Sequence, residues 1–119
     1  MLIRYKQSHE KIAMGLLSFV PGEENLKQLR QTMNEYETND DWRLFLWKEE
    51  DDITGIVGIR ILDEDTAELQ HVSVNPSHRN QGLGKAMVRT LADLLGSREI
   101  VPNKRTRDFF EQCGLDEVQ

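Results

Sequence analysis

Glu68-Leu69-Gln70-His71-Val72-Ser73-Val74-Asn75-Pro76, continued by Ser77-His78-Arg79-Asn80-Gln81-Gly82-Leu83-Gly84-Lys85, is the stretch on which the fold turns. Its first part, extended back to Thr66, is rich in β-branched residues and reads as a strand over residues 66–74 that stops at the Asn75-Pro76 turn. After the glycine-rich segment, Leu83, Met87, Leu91, Leu94 and Leu95 make the apolar side of a helix that Gly96 can end. Strand, glycine loop and helix in this order aim the free N–H groups of the helix's first turn at any anion placed there. Gly82 and Gly84 let the backbone approach it closely. Two common phosphate loops are excluded by spacing: a Walker loop needs glycine at Arg79 and Ser or Thr at Ala86, and a dinucleotide fingerprint needs glycine at Met87. The segment reads as a pyrophosphate cradle of another kind.

Upstream, residues 2–5 read as a short strand, and Ser8 can cap a helix in which Ile12, Leu16 and Phe19 recur at helical spacing until Pro21-Gly22. Glu23 and Glu24 carry the charge suited to a second helix's N-terminus, and Leu26, Leu29, Met33 and Tyr36 fall on one of its faces. Residues 44–48, 53–62 and 66–74 then read as a meander separated by acidic turns, with Gly55 and Gly58 predicting a bulge or close packing. Downstream, residues 99–101 make a fifth strand, and Asn103 or Thr106 starts a last helix carrying Phe109, Phe110 and Cys113 up to Gly114.

The chain has 119 residues, 13.8 kDa and 38% hydrophobic content, which suits one core and a single domain over residues 1–119. Its apolar runs are far shorter than the roughly 20 residues of a membrane helix, and Arg4 and Lys6 interrupt the N-terminus too early for a secretory signal. The expectation is a cytoplasmic protein with no membrane partner. Cys113 is the only cysteine, which excludes an internal disulfide and a multi-cysteine zinc site. No histidine–carboxylate spacing suggests a metal. A net charge of −6 argues against a nucleic-acid partner, which needs a basic surface.

Arg79, Gly82 and Gly84 fill the pattern Arg/Gln-x-x-Gly-x-Gly/Ala, placed after a strand and opening a helix, and in this the chain resembles the Gcn5-related N-acetyltransferase (GNAT) family. Residues 68–76 look like that family's fourth strand, and Asn103 with residues 109–115 looks like its closing helix. The N-terminal half, including Phe45-Leu46-Trp47-Lys48, further resembles an acetyltransferase-like branch encoded with riboflavin-synthesis enzymes in bacilli. The resemblance implies an α/β (α+β) fold with a mixed, mostly antiparallel sheet flanked by helices, shorter at the C-terminus than is usual. It also implies acetyl-CoA as acyl donor and no metal. Pantetheine would pair with the backbone of Val72, Ser73 and Val74 where two strands splay. Asn80, Gln81, Gly82, Leu83, Gly84 and Lys85 would hold the pyrophosphate, with charge from Arg79 and Lys85. Asn103 and Phe109 would belong to the CoA-binding set.

Glu68 matches the family's recurrent glutamate base near the start of the fourth strand; the plainer reading is a solvated strand-edge carboxylate. His71 lies on the opposite face by alternation unless a bulge intervenes, and reads as a satisfied structural histidine rather than a relay. Phe110 stands where many relatives carry a tyrosine that assists the departing thiolate, leaving Tyr5 or Tyr36 to supply a hydroxyl. Cys113 reads as a packing residue, and residues 49–52 as a solvated acidic turn or an attractor of cationic acceptors. The short C-terminus leaves a sheet edge that a second subunit can complete, a homodimer. Three classes of function stand open: an N-acetyltransferase acting on a small-molecule or peptide amine, an acyl-CoA sensor without turnover, and an interaction module that has lost the cofactor.

Overall fold

A computed structural model describes residues 1–78 and 82–113. Its strands are β1 (Leu2–Arg4), β2 (Trp42–Glu49), β3 (Asp52–Ile61), β4 (Thr66–Val74) and β5 (Glu99–Pro102), in one sheet of order β1-β2-β3-β4-β5. β1 to β4 pair antiparallel with their neighbours, short turns joining β2 to β3 and β3 to β4 while two helices separate β1 from β2 in the chain. Only β4 and β5 run parallel, because α3 (Leu83–Leu95) carries the chain back between them. The other helices are α1 (Glu10–Leu17), α2 (Leu26–Thr38) and α4 (Arg107–Gln112).

Alternation along the strands divides the core into two layers. Phe45, Val57, Ile59 and Leu69 pack against Met87, Val88 and Leu91 of α3 and Phe110 of α4. On the other face Leu44, Leu46 and Ile56 meet Ala13, Leu16 and Leu17 of α1 and Leu29, Met33 and Tyr36 of α2. Each of the larger aliphatic side chains stabilises the fold by about 1.5–3 kcal/mol through burial.

Helix faces are where expectation and structure part. A 3-10 turn takes Gln7–His9, so α1 begins at Glu10 with His9 and not Ser8 as its N-terminal flank. Ala13, Leu16 and Leu17 face inward, while Ile12 and Phe19 are exposed; the small Ala13 lets α1 lie close on the sheet. Leu26 and Leu94, expected on inward faces, are 58% and 62% exposed. The cap of α2 is Asn25, whose Oδ1 accepts from the N–H groups of Lys27 at 2.8 Å and Gln28 at 3.3 Å. Glu23 has a different place, described below.

The sheet carries two bulges. Trp47 opposes Gly55 while Lys48 opposes Ile53, leaving Thr54 as the extra residue. Gly58 opposes His71 while Ile59 opposes Leu69, leaving Gln70 extra in β4. Opposed residues share a face, and Gly58 and Arg60 are two positions apart. Glu68 (opposite Arg60) and His71 (opposite Gly58) are therefore on the same side, reversing the parity of an unbulged strand. Gly58 is required for a second reason: a Cβ there would overlap the Tyr36 hydroxyl. Among the described residues no helix is long and apolar enough to cross a membrane, and no cluster of three or more His, Cys, Asp or Glu could hold a metal.

Candidate functional site

Pairing between β4 and β5 stops at Leu69 opposite Pro102. The chain then turns: Asn103 Oδ1 accepts from the N–H groups of Arg105 and Thr106, both at 2.9 Å, and the Thr106 hydroxyl donates to the Leu69 carbonyl at 2.9 Å. This turn sends the backbone into α4 instead of onward beside β4. Over residues 70–73, β4 consequently has no strand on that side among the described residues. Its edge borders a cleft of about 470 Å³ that runs to the start of α3.

Val72, Ser73, Val74, Gly82, Leu83, Gly84, Lys85 and Phe109 all line this cleft. Arg79, Asn80 and Gln81 lie outside the described residues. Gly82 flanks α3 with φ +73° and offers no side-chain cap, a geometry that leaves the helix's first N–H groups to an external anion. Gly84 is packed against Phe109, whose ring would stand 2.8 Å from an added Cβ. Ser73 is 6% exposed and its hydroxyl is buried without a hydrogen-bond partner among the described residues. Asn103 borders the split but not the cleft, its side chain being engaged in the turn and in a 3.3 Å bond from Nδ2 to Gln70 Oε1.

The last helix corrects one reading. Phe110, placed at the family's tyrosine position, is in the core under α3, and Phe109 faces the cleft. Successive helical residues differ by about 100° in direction, so only one of the pair can face the ligand. Neither proposed substitute hydroxyl reaches the cleft. Tyr5 donates to Glu37 Oε2 at 2.7 Å, and Tyr36 is bound to His71. The Cys113 thiol is pushed up by burial, against the partial opposition of Lys85 and Arg89, which makes it an unreactive wall residue.

Glu68 Oε1 accepts from Gln70 Nε2 at 2.6 Å. Glu68, Gln70 and Asn103 thus form a hydrogen-bonded line along the rim of the split. A second network was hidden from sequence. Glu23, fully buried, accepts from Thr32 Oγ at 2.9 and 3.0 Å and from His71 Nε2 at 3.2 Å, with Arg105 Nη1 at 3.6 Å. The Tyr36 hydroxyl lies 2.6 Å from His71 Nδ1. With Nε2–H directed at the carboxylate, Nδ1 accepts from Tyr36, and both ring nitrogens are satisfied. Burial alone would raise the Glu23 carboxyl; the bonds from His71 and Thr32, with the Arg105 charge, outweigh it and hold the carboxyl below its ordinary value. Burial, then the Glu23 charge, pushes Tyr36 well up. Hydropathy gives no warning of an acidic residue enclosed by elements distant in sequence, and Glu23 read only as charge suited to a helix N-terminus.

Beside the main cleft lies a smaller one of about 210 Å³, walled by Gln70, His71, Arg105 and Thr106. The two share Val20, Pro21, Val72 and Phe109, so they adjoin around Val72.

The model of the acetyltransferase (GNAT) family matches residues 11–115. A protein of Bacillus methanolicus described as an N-acetyltransferase in the lysA 3′ region is 57% identical over 115 residues, 97% of this chain and 96% of that one. Among solved structures, an aminoglycoside 6′-N-acetyltransferase complexed with coenzyme A superposes with a TM-score of 0.74 at 16% identity, covering 96% of this chain and 83% of that one. Spermidine N-acetyltransferase of Vibrio cholerae, in complex with CoA and spermine, gives 0.69 at 16% identity over 96% and 79%. These two show the same fold. The chain belongs to the GNAT acetyltransferase family.

Proposed function

We propose that this chain, acting as a single domain in the cytoplasm, transfers an acetyl group from acetyl-CoA to an amine by direct attack within a ternary complex. The observation that carries the reading is one continuous cleft joining the start of α3 at Gly82 to the stretch of β4 over residues 70–73 that no described strand covers. Its parts suit the two ends of one ligand. The first N–H groups of α3, from Gly82 to Lys85, with the Lys85 charge, would hold the pyrophosphate, and by the family resemblance Arg79, Asn80 and Gln81 would contribute to the same cradle. The backbone of Val72, Ser73 and Val74 would pair with the pantetheine amides as a strand pairs, Phe109 walling the cleft and Asn103 holding it open. When bound, acetyl-CoA supplies a thioester carbonyl for the amine to attack.

At the β4 edge a backbone N–H near Val72 would polarise that carbonyl, and one well-placed donor there is worth about 3 kcal/mol of barrier. Glu68, directly or through a water, would take the proton the ammonium must lose. The new C–N bond replaces the C–S bond, and the departing thiol, of pKa about 8.5, leaves without an acid near neutral pH. A resemblance to the riboflavin-operon protein RibT adds a metabolic neighbourhood and no further chemistry. A homodimer would cover the outer edge of β5.

Calorimetric titration with acetyl-CoA tests the cradle, and Glu68→Gln tests the base. Micromolar binding unchanged in the variant, with turnover lowered about 10²–10⁴-fold, is the expected pair of results. Absence of binding heat and of competition with a CoA probe refutes the reading. The lack of a tyrosine in α4, where Phe109 faces the cleft and Phe110 the core, favours one alternative, a sensor that binds acyl-CoA without turnover; it predicts binding with no transfer to any amine.

A further inference from the structure

The smaller cleft has a composition that selects a substrate. Its polar walls are Gln70, His71, Thr106 and Arg105, its apolar ones Val20, Pro21, Val72 and Phe109, and no carboxylate lines it among the described residues. Both nitrogens of His71 are already engaged, and Glu23 is enclosed behind it at 0% exposure. Arg105 is different. Its side chain is 51% exposed and its one ion pair among the described residues, Nη1 to Glu23 Oε1, is long at 3.6 Å. A guanidinium carries five N–H donors in a planar fork that matches carboxylate and phosphate oxygens in pairs, so most of its donor capacity remains for a ligand.

Volume adds a second, independent limit. About 210 Å³ is below the roughly 300–1,000 Å³ of pockets that enclose drug-sized ligands. A polycation would need carboxylates around it, and this pocket offers a cation. The acidic turn at residues 49–52 borders neither cleft.

We infer that the acceptor is a small primary amine bearing an oxyanion, carboxylate or phosphate, with Arg105 binding the anionic group and the amine directed at Val72. This rests on the transferase reading for the position of the amine. The anionic end follows from the pocket alone. Arg105 is here a specificity-determining residue, and the sign of its charge excludes polyamines and aminoglycosides as favoured acceptors.

The test uses the full chain saturated with CoA and reads binding without chemistry, by saturation-transfer NMR. The probes are free L-amino acids, their C-terminal amides, phosphoethanolamine, spermidine and kanamycin. At least one amino acid or phosphoethanolamine should bind, each amide should bind at least tenfold more weakly than its acid, and spermidine and kanamycin should not compete. Which anionic probe binds separates carboxylate from phosphate. Arg105→Gln should remove the acid-over-amide preference while CoA affinity stays unchanged, and Arg105→Lys should restore part of it. A merely structural Arg105 would weaken acids and amides alike. Equal or tighter binding of amides or polyamines, or no binding by any anionic amine, overturns the inference. Selective binding of an anionic amine without acetyl transfer would leave it standing and overturn the transferase reading instead.

Discussion

Replacing Glu23 by Gln keeps the shape of the side chain at the centre of the buried network and removes its charge. In the native chain the carboxylate accepts from Thr32 Oγ at 2.9–3.0 Å and from His71 Nε2 at 3.2 Å. Hydrogen bonds to a charged group are worth about 1.5–3 kcal/mol against about 1 for neutral pairs, so two of them lose roughly 2 kcal/mol. The half-exposed Arg105 at 3.6 Å adds under about 1 kcal/mol, because solvent screens it. Relief of carboxylate desolvation opposes these losses, yet the lowered Glu23 pKa says that the favourable contacts win for the ionised form. The expected net loss is about 1–2 kcal/mol at pH 7, or a melting temperature lower by roughly 5–10 °C for a chain of this size.

The pH dependence has a definite sign. A carboxyl whose folded pKa lies below its ordinary value of 4.5 contributes stability that is complete above that value. The contribution fades as pH falls through the folded pKa. Urea unfolding followed by tryptophan fluorescence suits the assay, since Trp42 lies edge-on to Tyr36 with ring centroids 5.3 Å apart. The gap between native and variant should be full at pH 7 and close progressively below about pH 4.5. A gap under about 0.5 kcal/mol at pH 7, or one that widens in acid, refutes a buried ionised carboxylate.

Two glycines bearing on the cleft and its supporting network give opposite expectations. Gly84→Ala gains about 1 kcal/mol of helix propensity and presses on Phe109 at 2.8 Å; that ring borders open cleft and can yield, so stability should change by under about 1 kcal/mol. The displaced ring narrows the cleft, so calorimetry should show acetyl-CoA affinity reduced about tenfold; unchanged affinity would remove Phe109 from the ligand wall. Gly58→Ala meets a Tyr36 that is 7% exposed and bound to His71 and cannot retreat, so chemical denaturation should show a loss of about 2–4 kcal/mol. A loss under about 1 kcal/mol would show that Tyr36 moves freely.

Local chemistry made β4 legible to the residue, because β-branched alternation ended at a proline. The same is true of the glycine pair opening α3, whose signal is a backbone requirement carried by the residues themselves. Helix faces were less legible. Leu26, Leu94 and Phe19 have the side chains of a core but lie where the sheet does not reach. The Gln70 bulge was invisible, since it depends on the register against β3, and Gly58 showed only that something irregular was near.

By itself the sequence determined the order of elements, the strand–loop–helix unit and the family, all properties of contiguous residues with fixed periodicity and spacing. The tertiary structure alone decided that Glu68 and His71 share a face, that Glu23 is buried with His71 and Thr32, that Phe109 rather than Phe110 faces the cleft, and that Arg105 stands over the smaller pocket. Each depends on residues far apart in the chain meeting at one point, and such meetings are set by strand register and helix packing, which no local pattern encodes.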